Sequence, residues 1–335
     1  MKRAAVGAAL LLLLLTGCLQ PTSDVEVTIE GPATEPLVDP AQITFDILTR
    51  TGGASTVAGL TWWPENATTA ILLVHGFSGV KENYWHTLPE AGYSWGSRIA
   101  ASGRAAVAID LPGYGESPGL DPASGLDDLA WATTQVGAAL RLERPGVDVV
   151  GYGLSMGGYI VAIAQGLFGA FDAIIPASSP HAGFVPGALT CGLIGGDGCA
   201  SDVETDFHPP NADPAVVNAT FAGYEPITDH AANLASLNLW LGDCGAPAGF
   251  GVPTCTGTSP LEVATDRITA PVLSLLGDKD LLLDASRWQD EPGHFPASRD
   301  AQVILVPDNG HFIHNHLDRA VTWGHVDAWL AGHGL

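Results

Sequence analysis

Val149-Val150-Gly151-Tyr152-Gly153-Leu154-Ser155-Met156-Gly157-Gly158-Tyr159-Ile160-Val161-Ala162-Ile163-Ala164 decides how the chain is read. An apolar run of strand type ends in Gly-x-Ser-x-Gly, and an apolar pattern of helical type follows. A strand, a sharp turn and a helix in that order lift the Ser155 hydroxyl clear of the backbone. A serine is a weak nucleophile until a base takes its proton, and it must stand free to reach a carbonyl carbon. Gly153, Gly157 and Gly158 leave room where the helix crosses the strand. The start of the helix also puts backbone N–H groups and a positive dipole end beside the hydroxyl. Gly-x-Ser-x-Gly alone says little in a chain with 41 glycines. Its place between a strand pattern and a helix pattern gives it weight.

Working outward, strand and helix patterns alternate. Ile43–Leu48 alternates like a strand, and Thr56–Trp62 is a second. Ala70–Val74 and Ala105–Ile109 are apolar throughout, as strands buried on both faces are. Trp95–Ala101 and Leu126–Leu142 have helical spacing, and Gly158–Leu167 continues the helix behind the serine. Phe171–Pro176, Ala270–Leu276 and Ala301–Val306 complete the strands, and Leu317–Leu330 is a closing amphipathic helix. This alternation implies an α/β domain around a mostly parallel sheet flanked by helices. In such sheets the site lies at the carboxyl ends of the strands. The rhythm breaks between about 179 and 265, which is rich in Gly and Pro and has two helical patterns, Pro214–Phe221 and Thr228–Leu241. That stretch reads as a cap or lid inserted between a first core part, 41–178, and a second, 266–335.

A nucleophilic serine needs a base, and the base needs an orienting carboxylate. His311 follows the last strand in Asn-Gly-His. Asp280 follows the preceding one in Gly-Asp-Lys-Asp, with Asp278 as the alternative acid or, failing that, a turn or capping carboxylate. Serine, acid and histidine thus come in the order of one fold family. The chain resembles an α/β-hydrolase-fold serine hydrolase of esterase or lipase type over roughly residues 43–335, apart from the cap. His75-Gly76-Phe77 resembles its oxyanion loop, and Asp110–Ser117 its Asp-x-x-Gly-x-Gly-x-Ser loop. Gly277–Asp280 resembles the turn of the acid, and Gly310-His311 that of the base.

The resemblance implies that Ser155, Asp280 and His311 are catalytic and that the N–H groups of Phe77 and Met156 form the oxyanion hole. It implies hydrolysis of a small to medium ester or acyl substrate through an acyl-enzyme, without a cofactor or metal. A peptidase, thioesterase or C–C hydrolase with the same triad is the alternative, as is a surface binding protein that kept the fold without turnover. His75 and Asp110 read as structural. Ser117 and Ser178 are not in elbow sequences. His314 and His316 read as polar residues at the mouth of the site or on the surface. Trp62, Trp63, Tyr84, Trp85 and Trp95 read mostly as core.

At the N-terminus, Lys2 and Arg3 precede an apolar stretch, Ala4–Leu15, too short to span a bilayer. Leu15-Thr16-Gly17-Cys18 resembles the lipobox of a bacterial lipoprotein. That implies cleavage after residue 17, lipid attachment at Cys18 and a place at the cell envelope after export. Contact with the membrane would then run through the N-terminal lipid alone. Residues 18–40 read as an acidic, proline-containing tether. The formal net charge of -23 argues against nucleic acid as a partner. Four further cysteines, an even number in an exported chain, suggest disulfides, with Cys191–Cys199 and Cys244–Cys255 the favoured pairs. The oligomeric state is not legible in the sequence.

Overall fold

Strand-long apolar runs bury both faces only if helices cover the sheet on both sides. The computed structural model describes residues 37–77, 79–120, 125–181, 259–280 and 285–335, and it has that architecture. All of them belong to the unit Pro32–Leu335; the unit Met1–Gly31 lies outside them. So do Cys18, Cys191, Cys199, Cys244 and Cys255, the two helical patterns of the expected cap, and therefore the disulfide and lipid-attachment expectations.

The strands are β1 (Ala41–Leu48), β2 (Ala54–Trp62), β3 (Thr69–Val74), β4 (Ala105–Ile109), β5 (Asp148–Leu154), β6 (Ala173–Ala177), β7 (Val272–Gly277) and β8 (Ala301–Val306). They form one sheet in the order β1-β2-β4-β3-β5-β6-β7-β8. The β1–β2 and β2–β4 pairs are antiparallel, and every later neighbour is parallel. The helices are α1 (Lys81–Trp85), α2 (Trp95–Ala101), α3 (Leu126–Glu143), α4 (Met156–Phe168), α5 (Pro260–Thr265) and α6 (Arg319–Gly332). Local chemistry fixes several ends. Ser94 caps α2 by accepting the Ser97 N–H at 3.1 Å. Ser259 and Glu262 form a reciprocal box at the start of α5, both bonds 3.1 Å. Gly169 ends α4 in the left-handed conformation, φ 63°.

Alternation along each strand divides the core in two. Ala70, Leu72 and Val74 of β3 join Val107, Val149 and Val272 against Leu129 and Val136 of α3, Ile160 and Ile163 of α4, and Leu261 of α5. Ile71 and Leu73 face the other way, with Val150, Tyr152, Leu273 and Leu275, against Trp85 of α1, Ile99 of α2 and Trp329 of α6. Trp62, Tyr84, Trp85 and Trp95 are at most 3% exposed, so they are core. α5 lies within the stretch expected to form the cap, yet Leu261 joins the sheet core and the buried Ala264 lies with its backbone against Gly166 of α4.

The topology also indicates where a site would lie. From β3 the chain crosses to β4 on one side and then to β5 on the other. The loops that follow β3 and β5 therefore diverge at the carboxyl edge, the usual place for a site in such sheets. Val74 pairs with both Ile109 and Gly153, and Leu154 with Ala177. His75, Asp110, Ser155 and Ser178 thus leave the sheet along one edge.

Candidate active site

Ser155 stands between β5 and α4 with φ 57° and ψ -123°, a conformation that a side-chain-bearing residue adopts only under constraint. The constraints are visible. Its N–H donates to the Ala177 carbonyl at 2.8 Å, and its carbonyl accepts the Gly158 N–H at 2.8 Å. The turn is possible only with glycine on either side. A Cβ on Gly153 would stand 2.1 Å from the Gly157 carbonyl oxygen, and one on Gly157 2.2 Å from that of Val74.

His311 lies after β8 and Asp280 after β7. His311 Nδ1 and Asp280 Oδ2 are 2.9 Å apart, with both residues buried. A carboxylate accepts only, so this bond puts the proton on Nδ1 and leaves Nε2 as the basic nitrogen. The Lys279 N–H donates to the Asn309 carbonyl at 2.9 Å, which ties the turn of the acid to that of the histidine. The structure brings Asp280, not Asp278, to the imidazole. Asp278 instead pairs with Lys279 at 3.0 Å.

The loop after β3 presses on the serine turn. A Cβ on Gly76 would stand 3.0 Å from the Ser155 Cβ and 2.9 Å from the Leu154 carbonyl oxygen. The Tyr84 hydroxyl donates to the Phe77 carbonyl at 3.1 Å, fixing that peptide. Met156 opens α4, and the first N–H groups of a helix have no acceptor within it. His75 bridges behind the loop. Its Nε2 accepts the Leu111 N–H at 3.0 Å, so Nδ1 carries the proton and donates to the Gly76 carbonyl at 2.7 Å. Burial pushes the His75 pKa down, which favours this neutral form.

Nearby, Asp110 anchors an ion cluster that reaches from the core to the surface. The Lys81 ammonium, 1% exposed, donates to Asp110 at 2.7 Å and Glu116 at 2.8 Å. Asp110 also accepts the N–H groups of Lys81 and Glu116, at 2.8 and 3.0 Å. Burial opposes the Lys81 charge, but the hydrogen bonds to Asp110, Glu116 and Glu82 outweigh it and push its pKa up. The Ser117 hydroxyl donates to the Asp110 carbonyl at 2.8 Å, a structural use.

His314 and His316 are not at a mouth or on the surface: each is 1% exposed. His314 donates through Nε2 to the Tyr84 carbonyl at 2.9 Å and stacks on Trp85 with centroids 4.8 Å apart. His316 Nε2 accepts the Gly310 N–H at 3.0 Å. Burial holds the pKa of both down at about 4. Sequence reasoning also missed His181 and the buried Glu291. They meet at 2.8 Å, and the His181 ring stacks on His294 with centroids 4.3 Å apart. His181 and Glu291 are 110 positions apart, and no local pattern links them. Among the described residues, no group of three His, Cys, Asp or Glu side chains is placed to hold a metal. No helix among them is long and apolar enough to cross a membrane.

Known proteins share this fold. The model of the alpha/beta hydrolase family matches residues 71–322. A membrane phospholipase A, described as a bacterial virulence factor, is 21% identical with a TM-score of 0.57, over 87% of this chain and 86% of its own. A thermophilic esterase from Thermogutta terrifontis is 19% identical with a TM-score of 0.59, over 87% and 98%. A carboxylesterase from Bacillus subtilis is 16% identical with a TM-score of 0.59, over 85% and 90%. At these identities the likeness is one of fold. Among curated proteins, none matches the sequence.

Proposed function

Since the chain belongs to the alpha/beta hydrolase family, we propose that it is a serine hydrolase that cleaves carboxylic esters through an acyl-enzyme. One observation carries the reading: the buried His311–Asp280 bond of 2.9 Å, at the sheet edge where Ser155 is held in a strained turn. Ser155 Oγ attacks the ester carbonyl while His311 Nε2 takes its proton. Asp280 holds the tautomer and stabilises the imidazolium. The N–H groups of Phe77 and Met156 receive the developing oxyanion, and one such donor contributes about 3 kcal/mol to the transition state. His311 returns the proton to the leaving alcohol. Water, deprotonated by the same imidazole, then releases the acid. The names of the esterase and phospholipase neighbours support an ester substrate. The reading extends to a protein exported and lipid-anchored through Cys18, supported by Leu15-Thr16-Gly17-Cys18 after an apolar stretch.

Labelling with a fluorophosphonate and turnover of short and long p-nitrophenyl esters test it. Wild type should label, and Ser155→Ala should not. Asp280→Asn presents the wrong hydrogen-bonding partner to Nδ1 and should lower kcat by about 10⁴-fold, the scale of tautomer loss in such triads. Asp278→Asn should stay within about threefold, as an exposed pair contributes little. No labelling and no hydrolysis of any ester, thioester or amide would favour the binding protein instead.

A further inference from the structure

Two serines at the end of β6 are placed behind the candidate triad. Ser178 is fully buried and has a left-handed backbone, φ 49°. That region is costly for a residue with a Cβ, on the order of 1–2 kcal/mol. Its N–H donates to Leu275 of β7 at 2.8 Å, and its hydroxyl donates to the His311 carbonyl at 2.7 Å. The Ser179 hydroxyl, 4% exposed, lies 2.7 Å from the Ser155 carbonyl and 2.8 Å from that of Ala177. A Cβ on Gly158 would meet it at 1.9 Å, so the second glycine after the nucleophile is the space this hydroxyl occupies.

Consecutive hydroxyls thus grip two turns far apart in sequence. One holds the backbone of the histidine and the other that of the nucleophile. β6 lies between β5, which carries Ser155, and β7, which carries Asp280. Ser178 combines a left-handed φ with a side-chain bond to the His311 carbonyl.

We propose that Ser178 is a positioning residue for His311, with Ser179 its counterpart for Ser155, so that the end of β6 sets the separation of base and nucleophile. The inference rests on the hydrolase reading above. Ser178 touches no reacting atom and acts only through the backbone of His311.

The test uses the full chain purified in detergent, with Ser178→Gly and Ser178→Ala. Glycine removes the hydroxyl and relaxes the backbone; alanine removes the hydroxyl and keeps the restriction. Two readouts are taken: kcat and KM on a p-nitrophenyl ester, and the downfield proton resonance of His311 Nδ1–H, identified by its loss in His311→Gln. Both variants should lower kcat about tenfold, close to 1.4 kcal/mol, with KM within about twofold. Both should shift or broaden the resonance. A wild-type kcat and an unmoved resonance in either variant overturn the proposal. If wild type hydrolyses nothing, the hydrolase reading fails by itself. The resonance then decides whether Ser178 sets the imidazole, and an unmoved signal refutes that too.

Discussion

His316 gives a prediction whose size follows from its surroundings. Its Nε2 accepts the Gly310 N–H, next to the candidate base, and an imidazolium has no acceptor to offer. Burial pushes its pKa down to about 4, with the carboxylates of Asp318 and Asp280 pulling the other way. In the unfolded chain an imidazole titrates near 6.5, roughly its unperturbed value. As pH falls, the unfolded chain therefore takes up this proton first. The stability that His316 contributes is complete above about pH 6.5 and is lost as pH falls toward the folded value. Linkage with these two values gives a loss of about 2 kcal/mol between pH 7.5 and pH 5 from this group alone. His316→Gln keeps an acceptor for the Gly310 N–H but binds no proton. Urea unfolding of wild type and variant at the two pH values reads the difference, provided that the m-values agree. The variant should lose about 2 kcal/mol less than wild type over this interval. Equal losses would refute the reasoning, because they would mean that the folded protein accepts the proton at His316 as readily as the unfolded chain does.

Asp110→Asn removes the shortest of the Lys81 ion pairs and leaves those to Glu116 and Glu82, and should lower stability by about 1–3 kcal/mol in thermal or urea unfolding. Cys18→Ser should move the protein from the membrane to the soluble fraction of the cells that make it. Detergent-dependent fractionation of that variant would end the lipid-anchor proposal.

The frame of this molecule was legible because it depends on local signals. Apolar runs such as Ala70–Val74 cannot face water on either side, and the helical spacing of Leu126–Glu143 can cover one face of a sheet. The turn at Ser155 was legible because its glycines stand beside the serine in the sequence, although only Gly153 answers a clash within the turn itself, with the Gly157 carbonyl. What the sequence concealed depends on distant partners. Lys81 looks like any surface lysine until Asp110, 29 positions on, folds over it. His314 and His316 look solvent-facing because imidazole is polar, yet the backbone groups of Tyr84 and Gly310 satisfy one nitrogen of each ring in the interior. Ser178 shows no sign of its use, because the carbonyl that it grips lies 133 positions away.

The contacts of His181 have a consequence for how such a protein can change. His181 Nε2 lies 3.3 Å from the Thr265 hydroxyl of α5, and its Nδ1 and backbone N–H both reach the Glu291 carboxylate. Residues 181 and 265, 84 positions apart, are thus held within one hydrogen bond of each other. The entropy of joining two residues by such a tie grows only slowly with the number of residues between them. A change in the length of chain between residues 181 and 265 would therefore add little to the cost of that tie.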